Sequence, residues 1–211
     1  MFSPLRYEND LFKNYMTKTK SNVKKHYNWL MGADMYLATS CILCNEMLKS
    51  FTSPIACLNN DQQIDKKCEF TSVNPDYEML LPAVFNLKHG IELYLKALTM
   101  TINENVEYPE GHDILKIAKN LKKELKAESC KKLLNETIPV VEKYYYGTYA
   151  FTKNKNCPDK KNEAERYPEY KNKSCYEICN LFIIVNCDLV KSIKKDCQKV
   201  QKNFREIYKK I

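Results

Sequence analysis

Residues 81–98 read LPAVFNLKHGIELYLKAL, and this stretch decides the fold class. Its apolar residues recur every three or four positions, which is the period of an α-helix with one face against a core. The residues on this stripe are Leu81, Val84, Leu87, Ile91, Leu95 and Leu98. The pattern predicts a helix from near Asn74 to about Ile102, with Pro82 close enough to its start to be tolerated.

The same periodicity outside this stretch predicts four further helices. Their expected ranges are about 21–51, 114–127, 128–147 (interrupted at Pro139) and 174–211. Only 4 of the 211 residues are glycine, which fits few turns and disfavours a glycine-rich phosphate loop. We therefore expect an all-α fold, a single up-and-down bundle of four to five long helices. One domain would span 1–211, with about 21–148 and 174–211 helical and 150–173 a polar loop.

The last predicted helix carries an apolar stripe whose spacing alternates threes and fours. This alternation is typical of a helix-packing seam or a coiled coil. The stripe consists of Leu189, Ile193, Cys197, Val200, Phe204, Ile207 and Ile211. The tyrosines within 144–149 are expected to close the end of the bundle with their hydroxyls in water. The alternative is that they stack on RNA bases.

The formal net charge of +8 comes entirely from the second half of the chain. Residues 106–211 hold 23 basic and 15 acidic side chains, whereas residues 1–105 hold 11 of each. This asymmetry suits a partner that carries phosphates or acidic groups. The alternative is a solvated lysine-rich surface, since only three of the 34 basic residues are arginine.

The cysteines and the apolar runs bear on location and on metals. The sequence shows no basic segment followed by an apolar one at its start, and its longest purely apolar run is 181–185. We therefore expect a cytoplasmic protein with reduced thiols and no membrane partner. The pairs Cys41/Cys44 and Cys175/Cys179 would hold zinc if their helices faced each other. Both pairs lie on apolar stripes, where cysteine behaves as a small hydrophobe, so we expect neither a metal nor a cofactor.

A polar face interrupts the apolar surroundings of the second helix. His89, Glu92 and Lys96 have the spacing i, i+3 and i+7, and Lys88 precedes Glu92 by four residues. Gly111, His112 and Asp113 follow soon after the helix ends. One hypothesis is a structural network in which His112 bonds Glu92 and Asp113 caps the next helix. The other is a substrate or phosphate site that also uses Lys88 and Arg166.

The strings HGIELYLKAL (89–98) and GHDIL (111–115) resemble the HEPN superfamily of helical-bundle proteins. RYP at 166–168 is similar to a short element of such proteins. The resemblance covers about residues 76–125 and 165–168. It implies a four- or five-helix bundle that is commonly dimeric. It also implies a role in toxin–antitoxin or phage-defence systems, where many members are metal-independent endoribonucleases.

The family signature is an arginine followed, after four to six residues, by a histidine. The histidine assists attack by the ribose 2′-OH, and the arginine stabilises the charged transition state. None of the three histidines here has that spacing from an arginine, and Lys88 stands where relatives have arginine. If the site is catalytic, we expect Arg166 with His89 or His112 to act at the scissile phosphate, and we expect the substrate-binding residues to be Lys88, Glu92, Lys96, Asp113 and Tyr167.

The expected partners are RNA, a second copy of the chain, and an antitoxin or other partner protein. The alternative function is a non-catalytic helical scaffold or dimerisation module, which would bind a partner through the final helix.

Overall fold

The computed structural model describes residues 23–50, 75–103, 111–145 and 187–211, which form five α-helices. The helices are α1 (Val23–Ser50), α2 (Pro75–Ile102), α3 (Ile114–Glu124), α4 (Glu128–Tyr145) and α5 (Cys187–Lys210). No β-strand occurs in these four segments. The expected all-α bundle is confirmed.

α2 is the central helix of the bundle, and it packs against the other four. Most of its side chains between Leu80 and Met100 are buried, so it meets neighbours on more than one side. Buried side chains from all five helices form one continuous hydrophobic cluster. Burying each leucine- or isoleucine-sized side chain contributes about 1.5–3 kcal/mol, so this cluster dominates the stability of the fold.

Small residues bring α1 and α2 close together. A Cβ added to Gly90 would lie 2.8 Å from Cγ of Leu37 and 3.2 Å from the carbonyl oxygen of Ala33, so only glycine fits there without movement. Further along the interface, the Ser40 hydroxyl donates to the carbonyl of Ala83 at 2.7 Å. This close approach positions the polar face of α2 relative to α1.

The apolar stripe of α5 packs within the chain itself. Six of its seven residues are buried, and only Ile211 is exposed. The ring of Phe204 stacks on that of Tyr94 of α2, with 4.7 Å between the centroids. The stripe is therefore a helix-packing seam, and a partner of α5 would contact the outer, lysine-rich face of the helix.

Three local expectations are wrong. α4 continues through Pro139. Proline has no N–H to donate to the carbonyl of Asn135, but both residues are exposed, so water can bond that carbonyl instead. α3 ends at Glu124 and not near residue 127, because Leu125 adopts an extended backbone and buries its side chain. The hydroxyls of Tyr144 and Tyr145 lie inside the bundle, where they donate to Asp196 and to the carbonyl of Lys88, while Tyr146 and Tyr149 lie outside the described residues.

The expected polar loop at 150–173 and the helical expectation for 174–186 lie outside the described residues. Within the described helices, none combines the length and the hydropathy that crossing a membrane requires.

Candidate functional site

The carboxylate of Glu92 is the centre of the polar face of α2. Glu92 is 2% exposed. Its Oε1 lies 2.8 Å from the Lys96 ammonium and 2.8 Å from Nδ1 of His112. Its Oε2 lies 3.7 Å from Nδ1 of His89. We call these four residues the Glu92 cluster.

The local sequence explains how His112 reaches this carboxylate. Gly111 has φ 85°, a left-handed conformation that glycine adopts without strain. Asp113 then caps α3, since its Oδ1 accepts from the backbone N–H of Lys116 at 3.0 Å. Ile114 is 1% exposed and fixes the start of α3 in the core. The predicted His112–Glu92 contact and the predicted cap by Asp113 are both confirmed.

The cluster keeps Glu92 ionised despite its burial. Burial by itself would raise the pKa of this carboxyl group. The close contacts with His89, Lys96 and His112, together with the charge of Lys96, outweigh burial and lower the pKa to about 2. Glu92 is therefore ionised at neutral pH, where it accepts hydrogen bonds from Lys96 and His112 and lies beside His89.

Aromatic rings hold His89 in place. Its imidazole stacks on Phe85 with 5.5 Å between centroids, and the ring of Tyr36 meets it edge-on at 4.5 Å. The side chain of His89 is 27% exposed and that of His112 is 44% exposed. Because both rings turn Nδ1 towards Glu92, their Nε2 atoms lie on the opposite edges of the rings.

Lys88 and Lys96 are inside the bundle. Lys96 is 1% exposed, and its ammonium lies 5.9 Å from the ring centroid of Trp29 in addition to its contact with Glu92. Lys88 is fully buried, and its ammonium lies over the Tyr145 ring, 4.6 Å from the centroid. Lys88 thus extends towards α4, whereas the sequence suggested a pair with Glu92.

Of the site residues predicted from the sequence, the structure brings together four: His89, Glu92, Lys96 and His112. Asp113 lies next to them and caps α3. Arg166 and Tyr167 lie outside the described residues.

Sequence reasoning missed a second carboxylate centre, on Asp34 of α1. Asp34 accepts from the hydroxyl of Tyr94 and from Nε2 of Gln201, and its Oδ1 lies 3.2 Å from Nη2 of Arg205. The signal for it was an acidic residue on the otherwise apolar stripe of the first helix. Sequence reasoning also missed Tyr36, the α1 ring that contacts His89.

In the four described segments, no three histidine, cysteine or acidic side chains are grouped so that they could hold a metal ion. Cys41 and Cys44 are described, and both are free thiols. Cys175 and Cys179 lie outside the described residues.

A family model of the HEPN domain matches residues 76–210. This chain belongs to the HEPN family. The match runs from the second residue of α2 to the last residue of α5, so it includes both histidines of the Glu92 cluster, while α1 lies outside it. Neither the curated proteins nor the solved structures gave a match.

Proposed function

We propose that this HEPN protein binds RNA and cuts it without a metal ion, as part of a toxin–antitoxin or phage-defence system. The single observation that carries the proposal is that one buried carboxylate contacts Nδ1 of two partly exposed imidazoles. A histidine whose Nδ1–H is held by a carboxylate has a fixed tautomer and presents Nε2 for proton transfer.

Metal-independent RNA cleavage needs one group that accepts a proton and one that donates a proton, and two imidazoles at one site can fill both roles. One imidazole accepts the proton of the ribose 2′-OH while the 2′ oxygen attacks phosphorus. The other, protonated, donates to the 5′ oxygen as the P–O bond breaks. The products are a 2′,3′-cyclic phosphate and a free 5′-hydroxyl. In this proposal His89 and His112 are the acid–base pair, and Glu92 orients them.

The remaining site residues supply charge and position. Arg166 stabilises the negative charge that develops on the phosphate, and Tyr167 contacts the bound nucleotide. Lys88 adds positive charge near the phosphate from inside the bundle, and Lys96 pairs with Glu92 and so holds the carboxylate that orients the histidines. Asp113 holds the loop that carries His112.

Surface charge supports RNA as the substrate. α3 exposes lysines along its outer side, and so does the outer face of α5. These lysines are Lys116, Lys119, Lys122, Lys123, Lys191, Lys195, Lys199 and Lys202. Such lysines contact phosphates without regard to sequence, so binding should weaken steeply as salt rises.

The test is incubation of the full chain with RNA in EDTA, followed by analysis of the fragment ends. We expect 2′,3′-cyclic phosphate ends. His89→Ala, His112→Ala and Arg166→Ala should each lower the rate by about 10²-fold or more. Asn120→Ala, an exposed change on α3, is the matched control and should cut as the wild type does. An RNA with 2′-deoxy residues should remain intact.

A second candidate function is a non-catalytic binding or dimerisation module. The observation that favours it is the absence of the family's arginine–histidine signature. The chain has three histidines and three arginines, and no histidine follows an arginine at the spacing of that signature. This alternative requires RNA to stay intact at high protein concentration. Its partners would be a second copy of the chain and an antitoxin or other protein, and sedimentation velocity of the purified chain tests the first of these.

A further inference from the structure

Three cysteine thiols meet where α1 packs on α5. Cys197 is fully buried, and its Sγ donates to the hydroxyl of Ser40 at 3.1 Å. Cys41, the next residue on α1, is half-buried, and its Sγ lies 4.0 Å from the carbonyl oxygen of Lys194, one turn before Cys197. Cys197 therefore touches the side chain next to Cys41, and Cys41 lies against the turn of α5 that leads to Cys197, so the two thiols are neighbours where α1 packs on α5.

The surroundings make these thiols unequal. The interaction with Cys197 lowers the pKa of Cys41 against the effect of burial, and the charge of Lys194 lowers it further. The interaction with Cys41 and burial raise the pKa of Cys197 well above its usual range. Burial raises the pKa of Cys44 to about 12. A partly exposed thiol beside a lysine is the environment of reactive cysteines, and Cys41 occupies it.

We propose that Cys41 and Cys197 are a peroxide-reactive pair that closes into a disulfide between α1 and α5. The Cys41 thiolate attacks one oxygen of hydrogen peroxide, so an S–O bond forms, the O–O bond breaks and hydroxide leaves. The Cys197 thiol then loses its proton and attacks the Cys41 sulfur, so the S–S bond forms and the S–O bond breaks. In total, two thiols and one peroxide give one disulfide and two waters.

The reaction would reach the core of the bundle through Ser40. The Cys197 thiol donates to Ser40, and Ser40 donates to Ala83 of α2. A disulfide removes the first of these hydrogen bonds and replaces it with a covalent link between α1 and α5. Cys41 lies before residue 76, outside the segment that the HEPN model matches, whereas Cys197 lies within that segment.

The test is peptide mapping of the full-length protein, reduced first and then exposed to hydrogen peroxide in the absence of RNA. After the free thiols are alkylated, the non-reduced digest should contain a Cys41–Cys197 linked peptide that dithiothreitol separates. In Cys197→Ser the reaction should stop at a sulfenic acid on Cys41, which dimedone labels. Cys130→Ser, a change to a buried thiol on α4, is the matched control and should leave the linked peptide unchanged.

Two results would overturn the proposal. One is that Cys41 and Cys197 remain alkylatable after peroxide treatment, and the other is that the disulfide that forms joins different cysteines. The wild-type map decides the matter even if Cys197→Ser does not fold. Cys41 should also react with iodoacetamide about tenfold or more faster than Cys130 in the native protein. Because no step involves RNA, the thiol proposal and the proposed function can fail separately.

Discussion

The bundle contains two carboxylates with several partners each, and the two centres differ in what those partners can do. Glu92 is held by a lysine and two histidines from α2 and the loop before α3. Asp34 is held by Tyr94 of α2 and by Gln201 and Arg205 of α5. Both centres tie separate segments of the chain together.

The partners of Asp34 do not change protonation near neutral pH. Arginine stays charged, glutamine does not titrate, and burial raises the pKa of the Tyr94 hydroxyl well above its usual range. The imidazoles on Glu92 each keep part of the ring exposed, and imidazole is the side chain that most often serves as a general acid or base. Asp34 is therefore a fixed tie between helices, whereas the proposed function assigns proton transfer to the histidines on Glu92.

The largest effect on stability should come from Glu92→Leu. This change removes the carboxylate that neutralises the buried ammonium of Lys96, and breaking a buried ion pair costs about 3–5 kcal/mol. Urea unfolding measures the loss. The matched control is Glu128→Leu, which removes the partner of Lys131 at an exposed position, where a pair contributes about 0–1 kcal/mol. Equal losses in the two variants would show that the buried charges do not set the stability.

The second effect is the acid sensitivity of the Glu92 cluster. The folded pKa of about 2 lies below the ordinary value of 4.5. The stabilisation is therefore complete above about pH 4.5 and is lost as the pH falls towards 2, a total of roughly 3 kcal/mol. Urea midpoints measured between these pH values should fall for the wild type and change less for Glu92→Gln. Parallel curves for the two proteins would contradict the prediction.

Contacts between near neighbours in the sequence could be predicted, and contacts between distant elements could not. The helical period placed His89, Glu92 and Lys96 on one face, and the short loop after α2 limited how far His112 could lie from it. Asp34 and Arg205 are far apart in the chain, so their contact depends on how α5 packs on α1, which periodicity does not specify. The same is true of Cys41 and Cys197. Lys88 shows a further limit, because four-residue spacing permits a pair with Glu92 but does not select it over the Tyr145 ring.

Asp34→Asn should produce a smaller loss of stability and no loss of cleavage. The amide keeps the shape of the carboxylate but removes the charge that Arg205 pairs with, and Arg205 is 36% exposed. We expect a cost of about 1.5–2 kcal/mol, the lower end of the range for hydrogen bonds to charged groups, because solvent screens the partly exposed Arg205. A double-mutant cycle with Arg205→Gln measures the coupling. If Asp34→Asn lowered RNA cleavage as much as His112→Ala, the distinction between the two carboxylate centres would be wrong.

The smallest effect should come from Asp113→Ala, which acts on the Glu92 cluster only through the loop. The substitution removes the cap on α3 and leaves the N–H of Lys116 without its side-chain acceptor, which costs about 1 kcal/mol. Because His112 is the preceding residue, a looser start of α3 also lowers the fraction of time that its imidazole lies on Glu92. The cleavage rate should therefore fall together with the stability of the cap.

Asp113→Ser is the matched control, since a serine hydroxyl caps a helix about as well as a carboxylate does. Serine should therefore restore both the melting temperature and the cleavage rate. A serine variant that melts like the wild type but still cuts slowly would mean that the carboxylate of Asp113 itself contacts the RNA.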